Sequence, residues 1–270
     1  MTKGRNRWLS AYALLVYAFL FAPIVVLIIF SFNSARRGLV WQGFTLAWYP
    51  KLFSNDELLD ALIVTLQVAF VAVIVSTVLG SLLGLSLARL KFRGRGATET
   101  LLLVPMVTPE IVMGLALLLF FLQLFNAHGS IAQLWVAHIT FCISYVAVVV
   151  RARAASMNPQ LEEAARDLGA SAWGAFRYVT LPLIAPAVLA GALLAFSLSF
   201  DDYVVTTFNS GVGGSTLPLY IYGAIKFGVT PEINAISTII VAVTAIAILI
   251  AWRAGAFRTE ADRPVAEEAA

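Results

Sequence analysis

The sequence predicts an all-α membrane protein with six transmembrane helices. Three observations predict it. Hydrophobic residues make up 60% of the 270 positions and charged residues only 12%, against about 25% charged in a soluble domain, and mean hydropathy is +0.88. The apolar residues gather into six runs of a length that spans a bilayer core about 30 Å thick. Basic residues alternate sides: 14 of the 18 fall in residues 1–7, 89–95, 151–177 and 253–263, leaving Arg36, Arg37, Lys51 and Lys226 for the opposite side. By the positive-inside rule both termini are cytoplasmic.

Composition also excludes several classes. The single cysteine, Cys142, sits in an apolar run, so neither a disulfide framework nor a cysteine metal site is expected. His128 and His138 stand ten apart in no metal-ligand pattern. The net charge of +3 forms no basic face, so a nucleic-acid partner is not expected. No Gly-x-x-x-x-Gly-Lys-Ser/Thr phosphate loop occurs, nor any nucleophile–base–acid grouping. The chain is therefore expected to hydrolyse nothing itself and to hold no cofactor or metal.

The first run, Trp8 to Phe32, follows a basic segment at residues 1–7. At about 25 residues it exceeds the apolar core of a signal peptide, and it reads as an uncleaved span. Residues 33–60 are polar and aromatic, as at a water–lipid boundary. The second run, about Ala61 to Leu87, carries Gly80 and Gly84 at the spacing of a close helix–helix contact. Arg89, Lys91, Arg93 and Arg95 end it. The third, about Leu101 to Leu124, is interrupted by Pro105 and Pro109. Residues 126–133 form a polar turn, and the fourth run covers about Leu134 to Val150. The fifth covers about Ile184 to Thr207, Gly-rich residues 209–216 open an outer loop, and the sixth covers about Ile233 to Trp252. These boundaries give a cytoplasmic segment 1–7, a six-span domain 8–253 and a disordered cytoplasmic tail 254–270.

Between the fourth and fifth runs lies a hydrophilic stretch with helix signals at both ends. Asn158 and Pro159 read as N-cap and first helical position, with Glu162 and Glu163 in the first turn, where the helix dipole favours negative charge. Leu161, Ala164, Ala165 and Leu168 make one apolar face. Gly169 stops the helix, Ser171 caps a second one carrying Trp173, Phe176 and Tyr178, and Pro182 ends that one. A compact helix–turn–helix with exposed aromatics, outside the membrane, is expected.

Three carboxylates in or beside apolar runs mark a candidate substrate pathway. Glu110 directly follows Pro109 and lies roughly 22 Å beyond Arg95 along a helix, past the middle of the core. It is either a cation stop beside carbonyls freed by the prolines or a hydrogen-bonded structural carboxyl. Asp201 and Asp202 lie roughly 28 Å beyond Pro182. They either draw in a cation, with Tyr203 beside them, or form a solvated helix end. Trp41 and Trp48 are interfacial anchors or a lid over an alkylammonium.

The pattern Glu163-Ala164-Ala165, three residues, Gly169, nine residues, Val179, one residue, Leu181-Pro182 resembles the coupling signature of bacterial ATP-binding-cassette importer permeases, with Val179 where that family usually has Ile. Further stretches resemble one permease subunit of bacterial spermidine/putrescine importers: Phe32-Asn33-Ser34, Trp41-Gln42-Gly43-Phe44, Trp48-Tyr49, Phe92-Arg93-Gly94, Pro109-Glu110-Ile111-Val112-Met113, His138-Ile139-Thr140-Phe141-Cys142, Asp201-Asp202 and residues 228–235. The resemblance covers residues from about 12 to 250. It implies a type I importer permease (MetI-like) in the bacterial inner membrane, paired with a second, different permease. Two ATPase subunits carrying Mg-ATP would dock on the cytoplasmic loop 151–183 through Glu163, Ala164, Ala165, Gly169, Leu181 and Pro182, and an extracytoplasmic polyamine-binding protein would dock outside. Glu110 and the Asp pair match acidic positions that would counter polyamine amines. Arg36-Arg37 and the Gly211–Gly214 loop depart from the pattern. Other cargo, such as iron or a compatible solute, and a proton-driven carrier or channel are the competing readings.

Overall fold

Each expected apolar run is helical in the computed structural model, because in lipid every backbone donor and acceptor must be paired within its own segment. The structure describes residues 7–35, 40–211, 214–226 and 228–253. The tail 254–270 and Arg36-Arg37 lie outside the described residues. Two units are distinguished, residues 1–56 with 223–270, and residues 57–222.

In the first unit, α1 (Arg7–Phe30) and α12 (Pro231–Arg253) pack together, and α2 (Trp48–Leu52) packs on α12. The loop after α1 is organised by Asn33, which is buried. Its side-chain amide donates to the Val40 carbonyl (2.9 Å), its Oδ1 accepts from the Gln42 amide (2.9 Å), and its own carbonyl accepts from the Trp48 indole (2.7 Å). Phe32 stacks on Phe44, and Lys51 pairs with Glu232.

The second unit is built on α6 (Ile131–Ser156), whose Ser130 N-cap oxygen accepts from the Gln133 amide at 3.2 Å. Its buried side chains Ala137, Phe141, Cys142, Val146, Val150 and Ala154 form the core. Helix α3 (Asp56–Arg89) crosses α6 through Gly80 and Gly84. A Cβ on Gly80 would sit 2.9 Å from the Ile143 carbonyl oxygen, and one on Gly84 would sit 2.5 Å from that of Ala147. The expected small-residue contact is therefore real, and α6 is its partner. Helix α9 (Leu181–Phe200) packs on the same helix through Gly191 against Val146.

Among the described residues, Trp8–Phe30, Asp56–Arg89, Ile131–Ser156 and Ala172–Phe200 are each long and apolar enough to cross a bilayer. A fifth such span is α4 (Arg95–Val107) with α5 (Glu110–Phe125), if that bent pair counts as one. The 23-residue α12 is compatible with a sixth.

Four expectations are corrected. Pro105 lies inside α4 and does not interrupt the third run; the break is at Thr108-Pro109, with a bend of 112°. Thr108 is extended (ψ 134°), as a residue preceding proline prefers. Pro182 does not end the second foot helix. Helix α8 (Ala172–Ala175) passes into a π-helical turn (Phe176–Thr180) and on into α9, with Pro182 in the first turn of α9. A proline is tolerated there, and the widened π turn accommodates the register change. The fifth run does not continue unbroken to Thr207: it stops at Phe200 and resumes as α10 (Val204–Asn209). Helix α11 (Leu217–Ile225) lies where only a loop was expected.

Candidate functional site: an acidic cavity and a helical foot

Both helix breaks open onto one cavity of about 270 Å³, lined by Pro105, Glu110, Met113, Phe141, Tyr145, Leu198 and residues 201–205. Glu110, Asp201, Asp202 and Tyr203, which are up to 93 positions apart in sequence, thus face a common space. Among the described residues, no Lys or Arg lines it.

The two aspartates differ in environment. Asp201 is exposed to the cavity and feels the charges of Asp202 and Glu110. The Asp202 side chain is only 7% exposed. Its Oδ1 accepts from the Val205 amide (3.2 Å), and its Oδ2 accepts from both the amide and the hydroxyl of Thr206 (2.8 Å each). Asp202 thereby satisfies donors that open the first turn of α10, which have no partner within that helix. Glu110 opens α5 and is exposed. The freely presented charges are therefore Glu110 and Asp201, while Asp202 shapes the break.

A second layer of polar side chains holds α10 in place. Asn209 donates to the Gly114 carbonyl of α5 (3.1 Å) and accepts from Gln133 of α6 (3.0 Å), all buried. Gly114 permits this approach, since a Cβ there would stand 2.8 Å from the Phe208 ring. Trp41 and Trp48 belong to the first unit. Trp41 meets Phe30 edge-on, and the Lys51 ammonium lies 5.2 Å from the Trp48 ring centroid. The cation found over Trp48 thus belongs to the chain itself.

The hydrophilic stretch forms the expected foot. The Asn158 side chain accepts from the Gln160 amide (3.0 Å) at the start of α7 (Gln160–Asp167). At its end the Ala170 amide reaches the Ala165 carbonyl and the Gly169 amide the Arg166 carbonyl, the paired closure of a Schellman turn. That closure needs a left-handed residue, and Gly169 has φ +90°. Ser171 caps α8 through the Gly174 amide at 3.0 Å. Glu163, Ala164, Leu168, Trp173 and Tyr178 are exposed, Leu168 at 90%. Of the other signature residues, Ala165 is half-buried, Leu181 is exposed, and Pro182 opens α9.

Sequence reasoning overlooked Glu162. Its Oε1 accepts from the buried Thr180 hydroxyl (2.8 Å) and lies 3.3 Å from the Arg89 guanidinium at the end of α3. Glu162 and Arg166 both line a cavity beneath α3, as i,i+4 neighbours on one helix face should. That face points to the spans, and Glu163, one residue on, points away. Arg151 and Arg95 meet Glu99 at 2.9 Å each, and Arg153 donates to the Leu183 carbonyl, so the basic segments are knitted together at this end of the unit.

A helical membrane subunit with paired broken spans around a charged cavity and an amphipathic foot at one end has the build of a solute permease. The chain belongs to the binding-protein-dependent transport system inner membrane component family, whose model matches residues 76–256. It is 40% identical over 254 residues to the putrescine transport system permease protein PotI of Escherichia coli (strain K12), covering 92% of this chain and 90% of that one. It is 43% identical over 232 residues to the spermidine/putrescine transport system permease protein PotC of Haemophilus influenzae, covering 86% and 90%. A bacterial transporter that imports the acidic polysaccharide alginate has a subunit of the same fold, with TM-score 0.66, 17% identity and coverage of 94% and 97%. A second structure of a bacterial alginate transporter, in complex with a pentasaccharide-bound periplasmic protein, matches at TM-score 0.69 and 19% identity, covering 91% and 93%. The fold is that of a type I ABC importer permease, MetI-like, in the inner membrane.

Proposed function

We propose that this chain forms half of the translocation pathway of an ATP-driven polyamine importer. The observation that carries the reading is the shared cavity lined by Glu110 and Asp201, beside Asp202 and with no basic side chain lining it among the described residues. A flexible polycation needs repeated negative sites that are only partly dehydrated, and aromatic surface for its methylenes. Phe141, Tyr145 and Tyr203 supply the aromatic surface. The names of the relatives point to the same cargo.

The partners follow from the exposed foot. A second, different permease completes the pathway, and two ATPase subunits holding Mg-ATP dock on the cytoplasmic side, where the basic residues place the foot. A polyamine-binding protein delivers cargo from outside. Glu163, Ala164, Ala165, Leu168 and Trp173 form the docking surface, an amphipathic helix seated in a partner groove. The six-span domain occupies residues 8–253, with both ends in the cytoplasm. Uptake of radiolabelled putrescine and spermidine into vesicles holding the complete complex should require ATP and binding protein, and persist with a proton ionophore. Uptake that the ionophore abolishes and ATP does not drive would overturn the reading in favour of a proton-driven carrier.

Glu162 has a separate part in this scheme, since it ties the docked foot to the end of α3 and to the π-helical turn that leads into α9. Glu162→Ala is expected to leave the complex assembled and hydrolysing ATP while uptake per ATP falls about five- to tenfold, from losing one hydrogen bond to a charged group. Parallel measurement of phosphate release and uptake checks this, and an unchanged ratio would rule the strut out.

A further inference from the structure

His138 is an ionisable side chain inside the fourth span, 1% exposed, to which neither the foot nor the cavity lining assigns a part. Intramembrane ionisable groups are costly and are retained where they work. Its Nδ1 lies 2.8 Å from the Ser199 hydroxyl, on the last turn of α9, and its Nε2 lies 3.1 Å from the Thr206 hydroxyl on α10. The imidazole therefore bridges the two sides of the break at residues 201–203.

The donor directions can be assigned from the network. The Thr206 hydroxyl donates to Asp202 Oδ2, so its oxygen is left to accept from Nε2–H of His138. In a neutral ring Nδ1 is then the acceptor, and Ser199 donates to it. Ser199, His138 and Thr206 thus form one chain of donors in which every proton points towards the Asp202 carboxylate. Aligned donors reinforce one another in a low-dielectric interior.

We propose that His138 is a positioning residue of the translocation cavity: acting through Thr206, it fixes Asp202 and so holds the break that presents Asp201 to cargo. It touches no cargo itself, and its effect on cargo rests on the polyamine reading given above.

The test uses the assembled complex in vesicles, with putrescine as the probe, and two readouts. One is KM against maximal rate of uptake; the other is hydrogen exchange of the Val205 and Thr206 amides, which Asp202 caps. His138→Phe preserves the ring against Phe141, and Thr206→Val preserves volume while removing the hydroxyl. Both are expected to raise KM about tenfold with little change in maximal rate, and to speed exchange about tenfold. Thr206→Ser, which keeps the hydroxyl, should stay within about twofold of the parent. Thr206→Val with parental KM would overturn the proposal whatever its exchange, as would Thr206→Ser impaired equally with Thr206→Val. Should His138→Phe fail to assemble, the two Thr206 variants decide. If the parent complex takes up no putrescine, the polyamine reading falls, and the exchange arm alone decides whether His138 holds the break.

Discussion

Gly84→Val is expected to abolish the yield of folded protein. A Cβ at position 84 would stand 2.5 Å from the Ala147 carbonyl oxygen and 3.0 Å from the Arg151 amide nitrogen, both backbone atoms of α6. Neither can swing aside as a side chain would, so α3 and α6 must separate along their length. Contact between close-packed helices is a main source of association within lipid, where water expulsion no longer drives it. The cost should be at least about 3 kcal/mol, a large share of the stability of an ordinary domain. Gly96→Ala is the control, since a Cβ there meets nothing within 4 Å. Gel filtration and thermal unfolding in detergent would compare the two. Monodisperse Gly84→Val with a parental midpoint would show that the crossing is looser than described.

The paired change Glu110→Gln with Asp201→Asn is expected to cut polyamine uptake about a hundredfold, each step contributing about tenfold by loss of one charge-assisted contact. Neither carboxylate carries the hydrogen-bond load that Asp202 does, so the fold should persist. Asp202→Asn separates the two roles. Asparagine keeps one acceptor oxygen and places an NH2 donor where the other stood, so either the Val205 amide or the Thr206 amide and hydroxyl lose their acceptor, and thermal stability should fall as well as uptake. Initial uptake rates, normalised to complex recovered from the vesicles, check this. If the Glu110–Asp201 pair transports at parental rates, cargo does not pass through this cavity.

Much of this organisation was legible in the residues. The apolar runs fall on helices, four of them long and apolar enough to span and a fifth if the bent pair counts as one, because bilayer thickness fixes their length and lipid leaves the backbone no other way to pair. The start of the foot and its turn were legible, since Asn158, Gly169 and Ser171 are local signals whose partners lie within five positions, but its second helix does not end at Pro182 as expected. Glu110, Asp201 and Tyr203 were found because charge and aromatic edge in an apolar run are conspicuous. What escaped is long-range. The pairing of Glu162 with Arg89 spans 73 positions, and His138 meets Ser199 and Thr206 across 61 and 68. No periodicity records such meetings. The break after Phe200 was missed because apolar residues resume at Val204, and hydropathy averages over a three-residue interruption. The Asp-Asp dipeptide is its trace, which reads as a cation-attracting pair or a solvated helix end rather than as a cap on a resumed helix.

The uninterrupted passage from α8 through the π-helical turn into α9 has a mechanical consequence. Residues 172–200 make one helical rod of 29 residues, about 43 Å long at 1.5 Å per residue, with no loop between its ends to absorb motion. One end belongs to the helical foot proposed above as the docking surface, and the other terminates at Asp201. A tilt of about ten degrees about the lower end would carry the upper end through roughly 7 Å, more than a full helical turn of about 5.4 Å. Such a lever needs no relay of small rearrangements through the core: tipping it would by itself reposition the carboxylates that line the cavity.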